Sequence, residues 1–381
     1  MIDFELTDQQ KALQKMARDF AESEIKTIAA EQDKATDHVF NHDLAAKMAQ
    51  KGFMRMSIAK KYGGLELDHV TQAIILEEIA AGDLGAATIA GWNCTAPFLM
   101  AKATEEQKEK IMPLFTKPGE PRLSALALTE PNAGSDAAAV QTTAQLNGDH
   151  YVLNGRKCFI THASVASVYF VAAMTDMSKG PKGMSAFIVP ADSEGLSFGK
   201  IEDKMGSRGS LNGDVIFQDV RVPKENLIGR EGEGFGIVAY ALEKVRPLVT
   251  GAFAVGVARA AYDEALKYSR ERVQFGKPII NHQAVALMLA DMAAQVETAR
   301  LLTWYTCWLQ DTGRNNAKFS ALDKIYTSDV AMNVTQNAVQ IFGGYGYMRD
   351  FPVEKLMRDA KVLQIWEGTN QVLRFVAARL L

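Results

Sequence analysis

Cysteine is scarce in this chain. Cys94, Cys158 and Cys307 are odd in number, far apart and never in a CxxC pair, which argues against a disulfide framework or a thiolate zinc site. The six histidines (His38, His42, His69, His150, His162 and His282) form no HExxH or other metal-ligand spacing. His38 and His42, four apart on a possible helix, read as a surface pair. No GxGxxG follows a strand, so a Rossmann dinucleotide site has no support. No run of 18 apolar residues is present, so no helix is expected to span a membrane. The start, Met1-Ile2-Asp3-Phe4-Glu5, has no basic segment followed by an apolar one and does not read as a signal peptide. Neither charge sign dominates: 42 Lys and Arg face 45 Asp and Glu, net -3, which gives no reason to expect nucleic acid or an anionic membrane as partner. Internal repeats, low-complexity tracts and charge runs are absent.

What is there is a chain of 381 residues, 48% hydrophobic and 23% charged. That is ordinary for a globular protein and long enough for two or three subdomains. Residues 1–118 read as helical. Thr7-Asp8-Gln9-Gln10 is a capping-box pattern, and Leu13, Met16, Phe20 and Ile25 follow at helical spacing. Further helices are expected over about 43–51, 69–81, 84–103 and 104–115, and Pro118, Gly119 and Pro121 mark a linker. Over 119–229 the pattern changes to short runs such as Tyr151-Val152-Leu153, Val168-Tyr169-Phe170-Val171, Ala186-Phe187-Ile188-Val189 and Val215-Ile216-Phe217. Turn clusters separate them, which predicts a small antiparallel barrel or sandwich. Residues 230–381 are helical again, with long periodic segments near 234–272, 282–312 and 316–342 that suggest a four-helix bundle. The fold class is α+β.

The stretch Arg358-Asp359-Ala360-Lys361-Val362-Leu363-Gln364-Ile365-Trp366-Glu367-Gly368-Thr369-Asn370-Gln371 reads as a helix, a break and a second helix. Glu367 sits at the break, beside Ile365 and Trp366. Apolar surroundings disfavour its charged form and raise its pKa, which suits a general base. Gly368 permits close backbone approach, and Thr369 is an N-cap. A solvated helix end would read the same way in isolation, but the segment resembles the catalytic Glu-Gly-Thr loop of the acyl-CoA dehydrogenases, flavoenzymes that desaturate acyl-CoA thioesters. The resemblance covers nearly the whole chain, and the family's order of helical, β and helical-bundle domains agrees with the pattern above.

Other segments carry the same resemblance. Leu126-Ala127-Leu128-Thr129-Glu130-Pro131-Asn132-Ala133-Gly134-Ser135-Asp136 is similar to the family's flavin and CoA loop. It implies FAD contacts from the backbone of Leu126 and Leu128 and from Thr129, and a CoA contact from Ser135. Lys157-Cys158-Phe159-Ile160-Thr161 reads as a strand and resembles the aromatic-Ile-Thr segment, so Phe159 would pack on the flavin and Thr161 bond near its N5. The family often continues with Asn-Gly, whereas this chain has His162-Ala163. Arg272-Val273-Gln274-Phe275-Gly276 resembles the segment whose Arg reaches a neighbouring subunit's FAD pyrophosphate, with Phe275 as packing companion. A guanidinium fork suits phosphate. Gln340 and Gly344, in Gln340-Ile341-Phe342-Gly343-Gly344-Tyr345-Gly346, and Thr369 and Gln371 resemble further FAD contacts. These assignments imply at least a dimer, and a homotetramer by resemblance.

In the family's chemistry Glu367 removes the α-proton while a hydride leaves the β-carbon for flavin N5, and the Glu367 N–H binds the thioester oxygen. Some branches carry the base on a helix matching Ala241-Leu242-Glu243-Lys244-Val245-Arg246-Pro247. This chain reads as one residue longer before Gly256, so that position falls on Val245 or Arg246, and neither can serve. Glu243 is a minor alternative base, and both Glu243 and Arg246 resemble substrate-side positions. The acyl pocket is expected along residues 83–100, where no Lys or Arg occurs between Lys61 and Lys102, which disfavours a dicarboxylate substrate. Trp92, Trp366 and Gly368 are expected substrate contacts, and the two bulky indoles suggest a short, branched, cyclic or aromatic acyl group. An indole at Trp92 that points into the core is the competing reading. Electron-transferring flavoprotein is the family's default acceptor. Enoyl-CoA reduction in the same site and a flavin-dependent acyl-CoA lyase are alternatives, the lyase disfavoured by Glu367. The resemblance implies a cytoplasmic location, or the mitochondrial matrix for a processed eukaryotic chain.

Overall fold

The structure is a computed structural model that describes residues 5–36 and 39–381. His38 and residues 1–4, and the expectations placed on them, lie outside the described residues. The first helical region contains α1 (Asp8–Phe20), α2 (Lys26–Lys34), α3 (His42–Lys51), α4 (His69–Gly82), α5 (Leu84–Gly91), α6 (Ala96–Leu99) and α7 (Glu105–Ile111). Thr7 caps α1 through the expected box, its hydroxyl accepting from Gln10 N. α4 and α5 are buried on nearly every face, α4 with Gln72, Glu77 and Glu78 among its apolar residues, which places them in the core of the molecule.

The middle region holds β1 (Ser124–Ala127), β2 (Thr143–Asn147), β3 (His150–Thr161), β4 (Val168–Met174), β5 (Met184–Pro190), β6 (Leu196–Ile201), β7 (Asn212–Pro223) and β8 (Leu227–Ile228). They form one eight-stranded sheet in the order β6-β7-β3-β2-β4-β5-β8, with β1 beside β4. The sheet is mixed, a correction to the expected antiparallel arrangement. β1 runs parallel to β4 from Ser124↔Val168 to Ala127↔Val171, and β2 touches β4 in parallel at Thr143↔Met174. The chain between β1 and β4 is long enough to be a crossover, because the β2–β3 hairpin lies within it, and a crossover permits parallel pairing. β4 is buried along its whole length, as a strand covered on both faces must be.

The last region contains α8 (Gly234–Arg246), α9 (Phe253–Glu271), the short strands β9 (Val273–Gln274) and β10 (Lys277–Pro278), α10 (Gln283–Asp311), α11 (Ala317–Phe342), α12 (Pro352–Leu363) and α13 (Asn370–Ala378). α9, α10, α11 and α12 pack on one another. α8 and α9 are one continuous rod joined by a π turn over Pro247–Ala252. A π turn takes up one extra residue without breaking a helix.

Buried ion pairs weld the regions together. Glu77 and Glu78 on α4 meet Arg259 of α9 at 2.9 and 2.6 Å. Arg300 of α10 meets Glu77 at 2.9 Å, and Arg18 of α1 meets Glu78 at 2.7 Å. Arg358 and Asp359, which open the stretch around Glu367, form the joint of all three regions. Arg358 donates to Asp33 at 2.6 Å and to Met205 O at 2.8 Å. Asp359 accepts from Ser207 N at 2.6 Å and from Lys355, which also reaches Asp83. Gly206 permits this docking: a Cβ there would stand 2.5 Å from the Arg358 carbonyl carbon. The platform beneath Glu367 is therefore rigidly tied to the rest of the fold.

Candidate active site

α12 ends at Leu363, and its last turn is closed by Ile365 N and Trp366 N donating to Val362 O at 2.9 and 3.0 Å. The chain then takes two left-handed residues in succession, Glu367 at φ 57° and Gly368 at φ 91°. Gly368 is required by its φ, since a Cβ there would meet only ordinary contacts at 3.4 Å or more. Glu367 is the costly one, because a side chain at positive φ is strained. Thr369 caps α13, its hydroxyl accepting from Val372 N at 3.2 Å. Gln371 is exposed in the first turn of that helix.

Glu367 is half-buried as a residue, but its Oε2 is sealed from solvent and has no hydrogen-bond partner. Burial pushes its carboxyl up to about 7, and Arg246 and Lys324 pull part of the way back. Arg246 Nε donates to the Glu367 main-chain carbonyl at 2.8 Å, which fixes the loop and leaves the buried Oε2 without a partner. A buried carboxyl poised near neutrality without a partner is able to take up and release a proton.

The two indoles differ. Trp366 is half-buried and its Nε1 donates to Thr250 Oγ1 at 3.1 Å, within the π turn. Trp92 is 8% exposed and belongs to the hydrophobic core. This is the core reading of Trp92, and it leaves the indole little surface to offer an acyl group. Of the alternative base positions, Val245 is fully buried and Arg246 is engaged with the Glu367 loop. Glu243 is half-buried with Oε1 3.2 Å from Lys244 Nζ.

The middle-region residues gather around β3. Leu126 lies in β1 at 9% exposure, Leu128 and Thr129 are half-buried, and Ser135 is exposed in the loop that follows. This loop is pinned to β3: Cys158 N donates to Thr129 O at 2.9 Å, and Lys157 Nζ donates to Leu128 O at 3.0 Å and to Glu130 Oε1 at 2.7 Å. Glu130 also accepts from Gln141 N and Thr142 N at 2.6 and 3.0 Å. Burial pushes the Lys157 ammonium down to about 8. For Glu130 burial acts upward, but Lys157 and the two N–H donors outweigh it and hold the carboxyl below its ordinary range. Phe159 is 62% exposed at φ 58°, while Thr161 is buried and its hydroxyl accepts from Asn212 Nδ2 at 3.0 Å. His162 is wholly buried at φ 63°; its Nδ1 lies 3.2 Å from Ser124 O and its Nε2 has no partner. Burial depresses it to about 4, so it is neutral at ordinary pH and reads as a wall residue.

The remaining residues lie on the last region. Arg272 and Gly344 line one cleft of about 450 Å³ together with Tyr268, Ile279, Phe342 and Met348. Arg272 forms no ion pair among the described residues; its guanidinium stacks 5.4 Å from the Tyr345 ring. A guanidinium without an ion pair, beside glycine backbone and Gln274 in a largely apolar cleft, suits a phosphate-bearing group. Phe275 is 93% exposed at φ 51°, and Gln340 is exposed near the end of α11. Seven non-glycine residues have positive φ among those described: Glu66, Phe159, His162, Ser207, Asp219, Phe275 and Glu367. Three of them are expected site residues and His162 adjoins a fourth, Thr161. Strain of this kind persists where surrounding structure enforces it, and it concentrates at functional positions.

Sequence reasoning missed Lys157 with Glu130, Asn212, Thr250, Lys324 and Asn370 as supports of these positions. A lysine at an inward position of an apolar strand or helix is a signal that was available for Lys157 and Lys324.

Models of the acyl-CoA dehydrogenase N-terminal, middle and C-terminal domains match residues 7–117, 125–220 and 232–381. The chain is 45% identical to the acryloyl-CoA reductase (NADH) of Anaerotignum propionicum, over 99% of this chain and 95% of that protein. It superposes on the butyryl-CoA dehydrogenase of Megasphaera elsdenii with a TM-score of 0.95 at 41% identity, covering 100% of this chain and 99% of that one. It also superposes, at a TM-score of 0.96 and 44% identity over 100% and 99% of the two chains, on a chain from a structure described as "Electron transferring flavoprotein of Acidaminococcus fermentans: Towards a mechanism of flavin-based electron bifurcation". On the matched models, the shared three-region fold and these relatives, the chain belongs to the acyl-CoA dehydrogenase family.

Proposed function

We propose that this enzyme interconverts an acyl-CoA thioester and its 2-enoyl-CoA, with Glu367 as the base that exchanges the α-proton. The observation that carries the reading is Glu367 itself: a sealed, unpartnered Oε2 on a strained loop, with the carboxyl pushed up to about 7. Near that pH the group is populated both as the base that takes the α-proton and as the acid that returns it. Loss of an α-proton places negative charge on the thioester oxygen, and a backbone N–H directed at that oxygen stabilises the developing charge by about 3–4 kcal/mol. The Glu367 N–H is the donor assigned here. Arg246 holds the loop through the Glu367 carbonyl, and Trp366, tethered to Thr250, walls the site beside the base.

FAD is the cofactor. Leu126, Leu128, Thr129, Phe159 and Thr161 would hold its ring system. Arg272, Phe275, Gln340, Gly344, Thr369 and Gln371 would meet its phosphate and adenosine parts from a neighbouring subunit of a homotetramer. The free guanidinium of Arg272 in its glycine-lined cleft fits that assignment. When bound, FAD supplies the two-electron acceptor for the β-hydrogen. Ser135, Glu243, Arg246 and Gly368 are assigned to the CoA and thioester side. Electron-transferring flavoprotein is the proposed redox partner, in keeping with the likeness to the Acidaminococcus structure. The reverse direction, enoyl-CoA reduction, is a second reading, favoured by the likeness to the acryloyl-CoA reductase. It uses the same groups, with Glu367 returning the proton.

The test is an anaerobic titration of purified protein with butyryl-, isobutyryl-, octanoyl-, cyclohexanecarboxyl- and phenylpropionyl-CoA, following flavin absorbance. Bleaching by at least one substrate, lost in Glu367→Gln, is expected. No bleaching by any of them, together with no reoxidation of chemically reduced protein by the matching enoyl-CoAs, would overturn the reading.

A further inference from the structure

Two cations act on the Glu367 carboxyl. Arg246 is committed to the main-chain carbonyl of Glu367. The other is Lys324 on α11, whose side chain is wholly buried. Lys324 Nζ donates to Asn370 Oδ1 at 2.7 Å. Asn370 is the first residue of α13, and its N–H donates to Gln364 O at 3.1 Å, closing the loop that carries Glu367. Its Nδ2 donates to Ser328 Oγ and Asp329 Oδ1 at 2.9 and 2.8 Å. Lys324 therefore anchors the closing residue of the loop to α11.

Among the described residues Lys324 forms no ion pair. A buried ammonium with one hydrogen bond and no partner carboxylate is costly unless a nearby anion compensates it. The charged groups that face it come from the break after α12 (Glu367), α8 (Arg246), α11 (Asp329) and α13 (Arg374), and Glu367 acts on it most. The relation is mutual, since Lys324 and Arg246 are the two charges that act on Glu367.

Resting on the reading of Glu367 as the base, we propose that Lys324 is a positioning residue: it holds the Glu367 loop through Asn370 and supplies the positive field that keeps the Glu367 carboxylate ionised once an acyl-CoA covers the site. A bound thioester excludes water and removes what solvation the carboxylate still has. The field of Lys324 arises inside the protein, so covering the site strengthens it. Once the proton has arrived, Glu367 is neutral and Lys324 is left uncompensated, which favours return of the proton in the next half of the cycle. Burial already lowers Lys324 to about 7, consistent with an ammonium whose charge depends on Glu367.

Two variants separate charge from structure. Lys324→Gln keeps a donor for Asn370 and removes the charge; Lys324→Arg keeps the charge. Both are compared with the wild type as FAD-loaded protein by two readouts. One is the pH dependence of flavin bleaching under saturating acyl-CoA. The other is infrared titration of the carboxylic-acid band that Glu367→Gln abolishes, recorded without substrate. In Lys324→Gln both midpoints are expected to move up by about one pH unit, which makes bleaching about tenfold slower on the acid side and nearly normal at high pH. Lys324→Arg is expected to keep the wild-type midpoints. If Lys324→Gln does not assemble, Lys324→Met takes its place with the same expected shift. A rate lowered equally at every pH, unmoved infrared midpoints, or an equal shift in Lys324→Arg would overturn the proposal. Failure of the underlying reading looks different, because the wild type itself would then show no bleaching and no band tied to Glu367.

Discussion

Replacing Glu367 by Gln should make the protein more stable, by an amount that depends on pH. The carboxyl ionises at an ordinary value of 4.5 when unfolded and is pushed up to about 7 by burial in the native state. Between these two values the folded protein holds a proton that the unfolded chain has released. Native stability therefore falls as pH rises through this window, and the full cost is present above pH 7. A shift of that size corresponds to about 3 kcal/mol, and screening through the partly exposed loop brings it to about 2 kcal/mol. Gln mimics the protonated form, so its advantage should be near zero at pH 4.5 and reach about 2 kcal/mol above pH 7. A chain of 381 residues has an unfolding entropy of about 0.8 kcal/mol/K, so for cooperative melting the advantage is about 2–3 °C in Tm. The assay is scanning calorimetry of FAD-saturated wild type and variant in a series of buffers from pH 4.5 to 8.5. A difference in Tm that is flat with pH, or a variant that melts lower at pH 8, would refute the reasoning that the Glu367 environment is bought at the expense of stability.

Four further outcomes follow from the contacts. Lys157→Met leaves Glu130 buried without its cation and should destabilise the protein by about 3–5 kcal/mol, with reduced FAD content measured from the flavin-to-protein absorbance ratio, because the loop carrying Thr129 loses its anchor. Thr250→Val strands the Trp366 N–H and should cost about 1–2 kcal/mol in denaturant unfolding, leaving the fold intact. Arg246→Met removes the donor to the Glu367 carbonyl and one of the two cations beside the carboxylate; its pH–rate profile should move upward and its rate at pH 7 fall at least tenfold. Gly206→Ala places a Cβ 2.5 Å from the Arg358 carbonyl carbon and should lower Tm by several degrees and expose the 205–208 loop to limited proteolysis, since the joint of the three regions must open.

Much of this was legible in the sequence for a physical reason. Several helices of the first region carry side-chain caps, as at Thr7, and α11 repeats buried positions every three or four residues along its 26 residues, so local preference and tertiary packing agree. The break at Glu367-Gly368-Thr369 was legible because an N-cap and a glycine at positive φ leave a local signature. The direction of β1 was not. Parallel pairing with β4 is set by contacts some 40 residues apart, and the run Val168-Tyr169-Phe170-Val171, solidly apolar rather than alternating, was the one local hint of a strand buried on both faces. Trp92 was ambiguous because an indole suits a core as well as a pocket. The cations that set the chemistry of Glu367 were the hardest to see. Arg246 and Lys324 come from helices distant in sequence, and only the folded bundle brings them to one carboxylate.

The central claim is that Glu367 exchanges the substrate's α-proton. It is tested most directly by incubating the FAD-loaded protein with butyryl-CoA in D₂O without oxygen or electron acceptor, and following loss of the α-proton signal by NMR. Wild type should wash the α-position into deuterium, with a rate that rises through a midpoint near pH 7, whereas Glu367→Gln with full FAD content should show no exchange above the rate in buffer. Exchange in the Gln variant at a rate comparable to wild type would contradict the assignment and move the base to another group, with Glu243 the first to be tested.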